Sequence, residues 1–146
     1  MRLANLFIAS LLTSTAMAAN TEFRLKIEDN TVPGLPLYIA IYQADASDWE
    51  AEPAHIIKKT LPNSAEFSLA VDIPAGHYAI RAFVDQDDDG LLTTNDKGRP
   101  KEPFANSISA DRSRPSHHFR HAIITLSAEN PEAVLTLRYP RGSRDH

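Results

Sequence analysis

The sequence predicts an all-β fold, an antiparallel β-sandwich of about seven short strands. Three observations carry that reading. Apolar residues recur at every second position in several short segments, which places them on one face of a strand. Clusters of Pro, Gly, Asn, Asp and Ser separate these segments. No stretch shows the 3.6-residue apolar period of a long amphipathic helix.

The segments follow in order. Phe23-Arg24-Leu25-Lys26-Ile27-Glu28 alternates apolar and charged residues, as a strand with one wet face does. Asp29-Asn30 and Pro33-Gly34 mark a turn. Leu37 to Tyr42 (LYIAIY) is an almost unbroken β-prone run and reads as a central strand. Between Ala44 and Lys59, Ser47-Asp48-Trp49-Glu50 has the form of a capping box and Pro53 stops any long helix. A loop with one short turn is expected there, with Trp49 plugging the core, followed by a strand near His55 to Thr60. Glu66 to Ile73 alternates again, and His77 to Val84 does the same after Pro74-Ala75-Gly76. Pro at the second and Gly at the fourth position suit a type I turn, so these two runs are expected to pair as a hairpin. Ala122 to Leu126 and Ala133 to Tyr139 supply the last two strands. Asp85 to Asn106 carries almost no β signal, and a loop of that length in a small domain calls for an organiser.

The N-terminus reads as an export signal. Met1-Arg2 is a short positive start, Leu3 to Leu12 is apolar, and Ala16-Met17-Ala18 is a small-x-small cleavage site. The apolar run falls short of the roughly 20 residues that span a bilayer. Cleavage after Ala18 leaves residues 19–146 as a single domain, delivered to a bacterial periplasm or secreted. The chain has no cysteine, which excludes disulfides, thiolate metal sites, cysteine nucleophiles and a lipid-bearing cysteine after the signal. Charge is uneven. Ala19 to Asp96 holds 5 Lys/Arg and 14 Asp/Glu, whereas Lys97 to His146 holds 9 and 5. An acidic first part speaks against nucleic acid and for a cation.

The informative stretch is Asp85 to Asp96 (DQDDDGLLTTND). Carboxylates stand at positions 1, 3, 5 and 12 of a twelve-residue window, glycine at 6 and an apolar residue at 8. This is the spacing of an EF-hand-type calcium loop. Calcium takes six to eight oxygens at about 2.3–2.6 Å, and a curled loop with carboxylates at alternate positions presents them to one point. The expected ligands are Asp85, Asp87, Asp89, the Leu91 carbonyl, Thr93 directly or through water, and Asp96. Gly90 permits the sharp turn, and Leu92 is expected to anchor the loop on the core. Asp rather than Glu at position 12 resembles the loops of dockerin modules, but the strand before and Pro100 and Pro103 after it exclude a helix-opening sensor. Acidic turns are also common as solvated surface, where exposed charges repel only weakly.

Pro74 to Asp85 (PAGHYAIRAFVD), Asp87-Asp88-Asp89-Gly90 and Asn95 to Asn106 (NDKGRPKEPFAN) together resemble the bacterial domain-of-unknown-function family 2141. Arg114-Pro115-Ser116 and Phe119 to Ile124 are similar to a later segment of that family. Ala105 departs from the family's usual serine, and His117-His118 lengthen the later segment. The resemblance spans roughly Phe23 to Tyr139 and implies an exported β-sandwich of immunoglobulin or prealbumin type. It also makes Glu102 and Asn106 candidate supports of the loop, as ligands or as partners of ligands. It implies no activity.

Other groups carry less. His117, His118 and His121 have i, i+4 spacing, but no helix is predicted to present them and Arg114 and Arg120 repel a cation, so a polar loop is expected. Neither GxSxG, HExxH nor a phosphate loop occurs, and no catalytic residue is assigned. The expectation is a calcium-stabilised, non-enzymatic module that binds an envelope protein or polysaccharide, without nucleic acid and without membrane insertion after cleavage. The alternatives are a carbohydrate-binding module stacking sugars on Trp49, Tyr42 or Tyr78, and a small hydrolase.

Overall fold

In a computed structural model, which describes residues 19–141, the chain forms eight strands and two short 3-10 turns. The segment read as a signal, 1–18, lies outside the described residues. The strands are β1 (Asn20–Glu28), β2 (Pro36–Gln43), β3 (His55–Thr60), β4 (Phe67–Pro74), β5 (Gly76–Val84), β6 (Phe104–Asn106), β7 (Ile123–Leu126) and β8 (Glu132–Thr136). One sheet has the order β4-β1-β8, the other β3-β2-β5-β6 with β7 also on β5. No helix among the described residues is long and apolar enough to cross a membrane.

The two sheets enclose one core, and the period-two pattern decides what enters it. Phe23, Leu25 and Ile27 from β1 and Leu69, Val71 and Ile73 from β4 face Leu37, Ile39 and Ile41 from β2 and Tyr78, Ile80, Ala82 and Val84 from β5. Their registers place Leu25 opposite Leu69 and Ile39 opposite Ala82. Burial of this apolar surface is the main stabilising contribution.

The antiparallel-dominated sandwich is as expected; two details refine it and one expected pairing is corrected. The strand count is eight, because Phe104–Asn106 pairs with Arg81–Phe83 inside the segment that read as loop. β1 and β8 run parallel, so the sandwich is antiparallel in all but that one pairing. β4 and β5 do not form a hairpin: β4 pairs with β1 in one sheet and β5 with β2 in the other. The link between them is the single residue Ala75, too short for a two-residue hairpin turn, and it carries the chain across the sandwich edge. Both apolar faces still point inward, so the sequence pattern is satisfied by either arrangement. The buried Tyr78 ties this corner, its hydroxyl donating to the Pro74 carbonyl at 2.5 Å. Tyr78→Phe removes one such bond and keeps the ring, so it is expected to cost about 1 kcal/mol, read as a lower urea midpoint with an unchanged slope.

A second, smaller apolar cluster covers part of the outer face of the larger sheet. Tyr42, Ala79, Phe119 and Ala122 are buried there against Trp49. The Trp49 ring meets Phe119 edge-on at 4.9 Å and Tyr42 at 5.2 Å, and its indole N–H donates to the His117 carbonyl. Trp49 is thus a plug, as expected, but of this outer cluster. The cap in its loop is Asp48, whose Oδ1 accepts from the Glu50 and Ala51 amides.

Candidate metal centre

The acidic loop leaves the end of β5 in a fixed direction. The Val84 amide donates to the Pro103 carbonyl (2.8 Å) and the Asp85 amide to the Pro36 carbonyl (2.9 Å). The outgoing and returning chains therefore run side by side, with Asp85 and Glu102 both buried, at 1% and 3% exposure.

Asp85 curls the loop around itself. Its Oδ1 accepts from the Asp89 amide (3.2 Å) and its Oδ2 from the Gly90 amide (2.8 Å). The curl needs left-handed backbone at Asp88 (φ 57°) and Gly90 (φ 73°). Glycine has no Cβ to obstruct that conformation, and Asp is among the residues that tolerate it best. Asp89 Oδ1 accepts from the Leu91 amide, and the Thr93 hydroxyl donates to Asp87 Oδ2 at 3.0 Å.

Glu102 closes the loop from the opposite side. Its Oε2 accepts from the Gln86 amide (2.6 Å) and its Oε1 from the Thr93 amide (2.8 Å). Asp85, Asp87, Asp89 and Glu102 each offer one carboxylate oxygen, all within 4.8 Å of one another. Two oxygens sharing a calcium ion at about 2.3–2.6 Å lie at most about 5 Å apart, so the spacing fits one such ion. Magnesium, at about 2.0–2.1 Å, fits it less well.

Asp96 does not belong to this group. Thr93 to Lys101 forms a small hairpin in which Thr94 bridges Pro100 and the Lys101 amide donates to the Thr93 carbonyl. Asn95 Oδ1 accepts from the Lys97 and Arg99 amides, and Gly98 (φ 72°) completes the turn. The hairpin carries Asp96 out to its tip, where the side chain is exposed, and returns the chain so that Glu102 takes the closing place. Thr93 is tied to the group through Asp87 and Glu102. Leu91 has a 69% exposed side chain at the loop's outer turn, and Leu92 is half-buried. Asn106 lies elsewhere, its amide bonded to Arg81 and to the Ser116 carbonyl.

The two outer carboxylates are shifted in opposite directions. The Thr93 hydroxyl chiefly holds Asp87 below the usual carboxylate range. At Asp89 the Leu91 amide pulls downward most, but desolvation, then the hydrogen bond shared with Asp87 and the charges of Asp87 and Asp85, outweigh it, and the net shift is upward. A divalent cation at the centre of the group would reverse that balance.

The histidines do not form a comparable site. The His117 and His118 rings lie tilted at 4.2 Å and His118 meets His121 edge-on at 5.3 Å. Both nitrogens of His121 are engaged, Nδ1 with Ser116 Oγ at 2.9 Å and Nε2 accepting from Arg120 Nε at 3.2 Å. Desolvation, then Arg112 and Arg120, hold its pKa down.

A family model described as an uncharacterized protein conserved in bacteria (DUF2141) matches residues 33–133, well over half of the chain. The chain belongs to this family. The match covers the acidic loop, Glu102 and the whole of β2 to β7. Neither a curated protein nor a solved structure matches the chain.

Proposed function

We propose that this DUF2141 protein is an exported, non-enzymatic β-sandwich module whose acidic loop binds one structural calcium ion, and which binds an envelope protein or polysaccharide in the periplasm or outside the cell. The observation that carries the metal reading is the convergence of Asp85, Asp87, Asp89 and Glu102 on one point. The ion would cancel their repulsion and pin the segment between β5 and β6. Thr93 and the Leu91 carbonyl are further oxygen donors on the same loop. Export rests on the leader-like first eighteen residues.

The contact between Ser116 and His121 supports a non-enzymatic reading, and the placement of Trp49, Tyr42 and Tyr78 speaks against sugar stacking on those three rings. Ser116 and His121 are in contact, but His121 Nε2 accepts from Arg120, which leaves the ring proton on Nδ1, facing the serine oxygen. That tautomer cannot take the serine proton. Tyr78 lies in the core and Tyr42 in the outer cluster, so neither offers an open ring face, and the Trp49 ring is covered by Arg81 at 4.1 Å.

The test is calorimetric titration of the chain from Ala19 onward, which carries every described element, after chelator treatment. Calcium is expected to bind once per chain, with a dissociation constant on the order of 10⁻⁴ M, and magnesium more weakly. Equal heats for the two ions, or none, would remove the metal from this reading.

A further inference from the structure

The acidic loop sits at one end of β5, while the side of the molecule around β6 has the opposite charge. Phe104 and Asn106 lie on the outer side of β6, Phe104 half-buried and Asn106 buried beneath the segment at Ser116, with Ala105 between them in the core. Two adjoining grooves share Phe104 and His117. One, of about 350 Å³, adds Asn106, Ser116 and Arg138; the other, of about 650 Å³, adds Lys97, Arg99 and Arg141. No carboxylate lines either groove among the described residues. The four cationic side chains are exposed, and none of them pairs with an acid there: the ion pairs among the described residues join Lys26 to Glu28 and Glu66.

Arg81 stands directly behind Asn106. Its Nε donates to Asn106 Oδ1 at 2.9 Å, its guanidinium lies over the Trp49 ring, and no carboxylate among the described residues reaches it. No buried side-chain nitrogen or oxygen among the described residues lacks a partner, so the terminal nitrogens of Arg81, which bond to no protein acceptor, reach solvent. Burial lowers its pKa to about 10, as fits a cation short of counter-charge.

Phe104 differs from the other aromatic residues of this face. Tyr38 and Phe83 stack on each other at 5.3 Å, and Tyr42, Trp49 and Phe119 interlock edge to face. Phe104 has no aromatic partner among the described residues and is half-buried where the two grooves meet. An apolar ring face flanked by a hydroxyl and several guanidinium groups matches a pyranose that bears a carboxylate. The ring C–H face lies on the phenyl group, a hydroxyl bonds to the half-buried Ser116, and the carboxylate meets a planar arginine fork.

We propose that this groove binds an acidic oligosaccharide, with a uronate ring over Phe104 and successive carboxylates against Arg138 on one side and Arg99 and Lys97 on the other. The proposal rests on the binding-module reading above, and it is independent of the calcium reading. Spaced cations suit a chain of repeated charges better than a single small anion.

The test is calorimetric titration of the chain from Ala19 onward with a hyaluronan hexasaccharide, with calcium present and after chelation. Parallel arms use neutral maltohexaose, a poly-glutamate peptide and a single-stranded oligonucleotide. The hexasaccharide is expected to bind, and maltohexaose is not. The exposed double variant Arg99→Glu with Arg138→Glu is expected to lower affinity at least tenfold while the melting temperature holds. Phe104→Leu is expected to weaken the sugar but not the peptide arm. Absence of hexasaccharide binding overturns the proposal, as does unchanged affinity in the charge-reversal variant. Equal or tighter binding of poly-glutamate or the oligonucleotide also overturns it and assigns the groove to that polyanion. Sugar binding by a protein that gives no heat with calcium defeats the metal reading alone, and a calcium heat without sugar binding defeats the groove alone.

Discussion

Calcium at one hundred times its dissociation constant is expected to raise the melting temperature of the chelator-stripped protein by about 10 °C. Ligand that binds only the native state at that excess adds about 2.7 kcal/mol. For a domain of this size each kcal/mol moves the midpoint by roughly 3–5 °C. The unfolded chain has no comparable site, because Glu102 meets the aspartates only once β5 and the returning segment lie side by side. Asp87→Asn and Asp89→Asn separate metal binding from loop architecture. Both side chains are exposed, and each variant removes a negative charge from a crowded group. Without calcium Asp89→Asn is expected to melt at or slightly above the wild type, and Asp87→Asn, which weakens the charge-assisted bond from Thr93, slightly below it; with calcium both are expected to show little of its shift. Differential scanning calorimetry reads both. A wild-type shift under 2 °C at saturating calcium, or a full shift in both variants, contradicts the assignment.

Particular residues show what was readable beforehand. Alternation in Phe23 to Glu28, Phe67 to Ile73 and Tyr78 to Val84 encodes which side chains face the core, because a strand turns its side chains over at every residue. All of those facings hold. Alternation does not encode which strand lies alongside. Two consecutive amphipathic strands bury the same faces whether they pair or sit in opposite sheets, so the β4–β5 crossing left no local trace. The same holds for the parallel pairing of β1 and β8, which joins segments more than a hundred residues apart. Strand β6 was invisible because three residues after a proline carry too little pattern. Its pairing is decided by β5 and by the bridge from Phe104 to Arg138.

The candidate site divides along the same line. Asp85, Asp87, Asp89 and Gly90 belong to one local curl, and spacing alone was enough to find them. The carboxylate that closes the group is not local: a twelve-residue window assigns that place to Asp96, and Glu102 entered only as a candidate support implied by the family resemblance. The signal that displaces it was in the sequence: Asn95 followed by Gly98 favours a tight turn, and a turn there moves position 12 away from position 1. Arg81 and the grooves around Phe104 could not be read at all, since they combine β5, β6, the hairpin and the segment after β8.

Glu102→Ala and Asp96→Ala are therefore expected to behave oppositely. Glu102 accepts the Gln86 and Thr93 amides from a nearly fully buried position. Truncation leaves both donors without a partner, and a buried unsatisfied donor costs about 1–3 kcal/mol. Water entering the vacated space offsets part of that, so the expected loss without calcium is about 2–4 kcal/mol, with the calcium-induced shift abolished as well. Glu102→Gln separates the two roles. Its amide keeps one acceptor oxygen, so part of the calcium-free stability returns, but the carboxylate charge is gone and calcium affinity is expected to fall at least tenfold. Asp96→Ala removes an exposed side chain at a hairpin tip, where substitutions usually fall within about 0.5 kcal/mol, and is expected to leave both stability and calcium binding close to wild type. Urea denaturation with and without calcium measures all three. If Asp96→Ala abolishes the calcium response and Glu102→Gln keeps it, the ion is held by the contiguous twelve-residue loop, and the hairpin between Thr93 and Lys101 must rearrange to bring Asp96 back to Asp85.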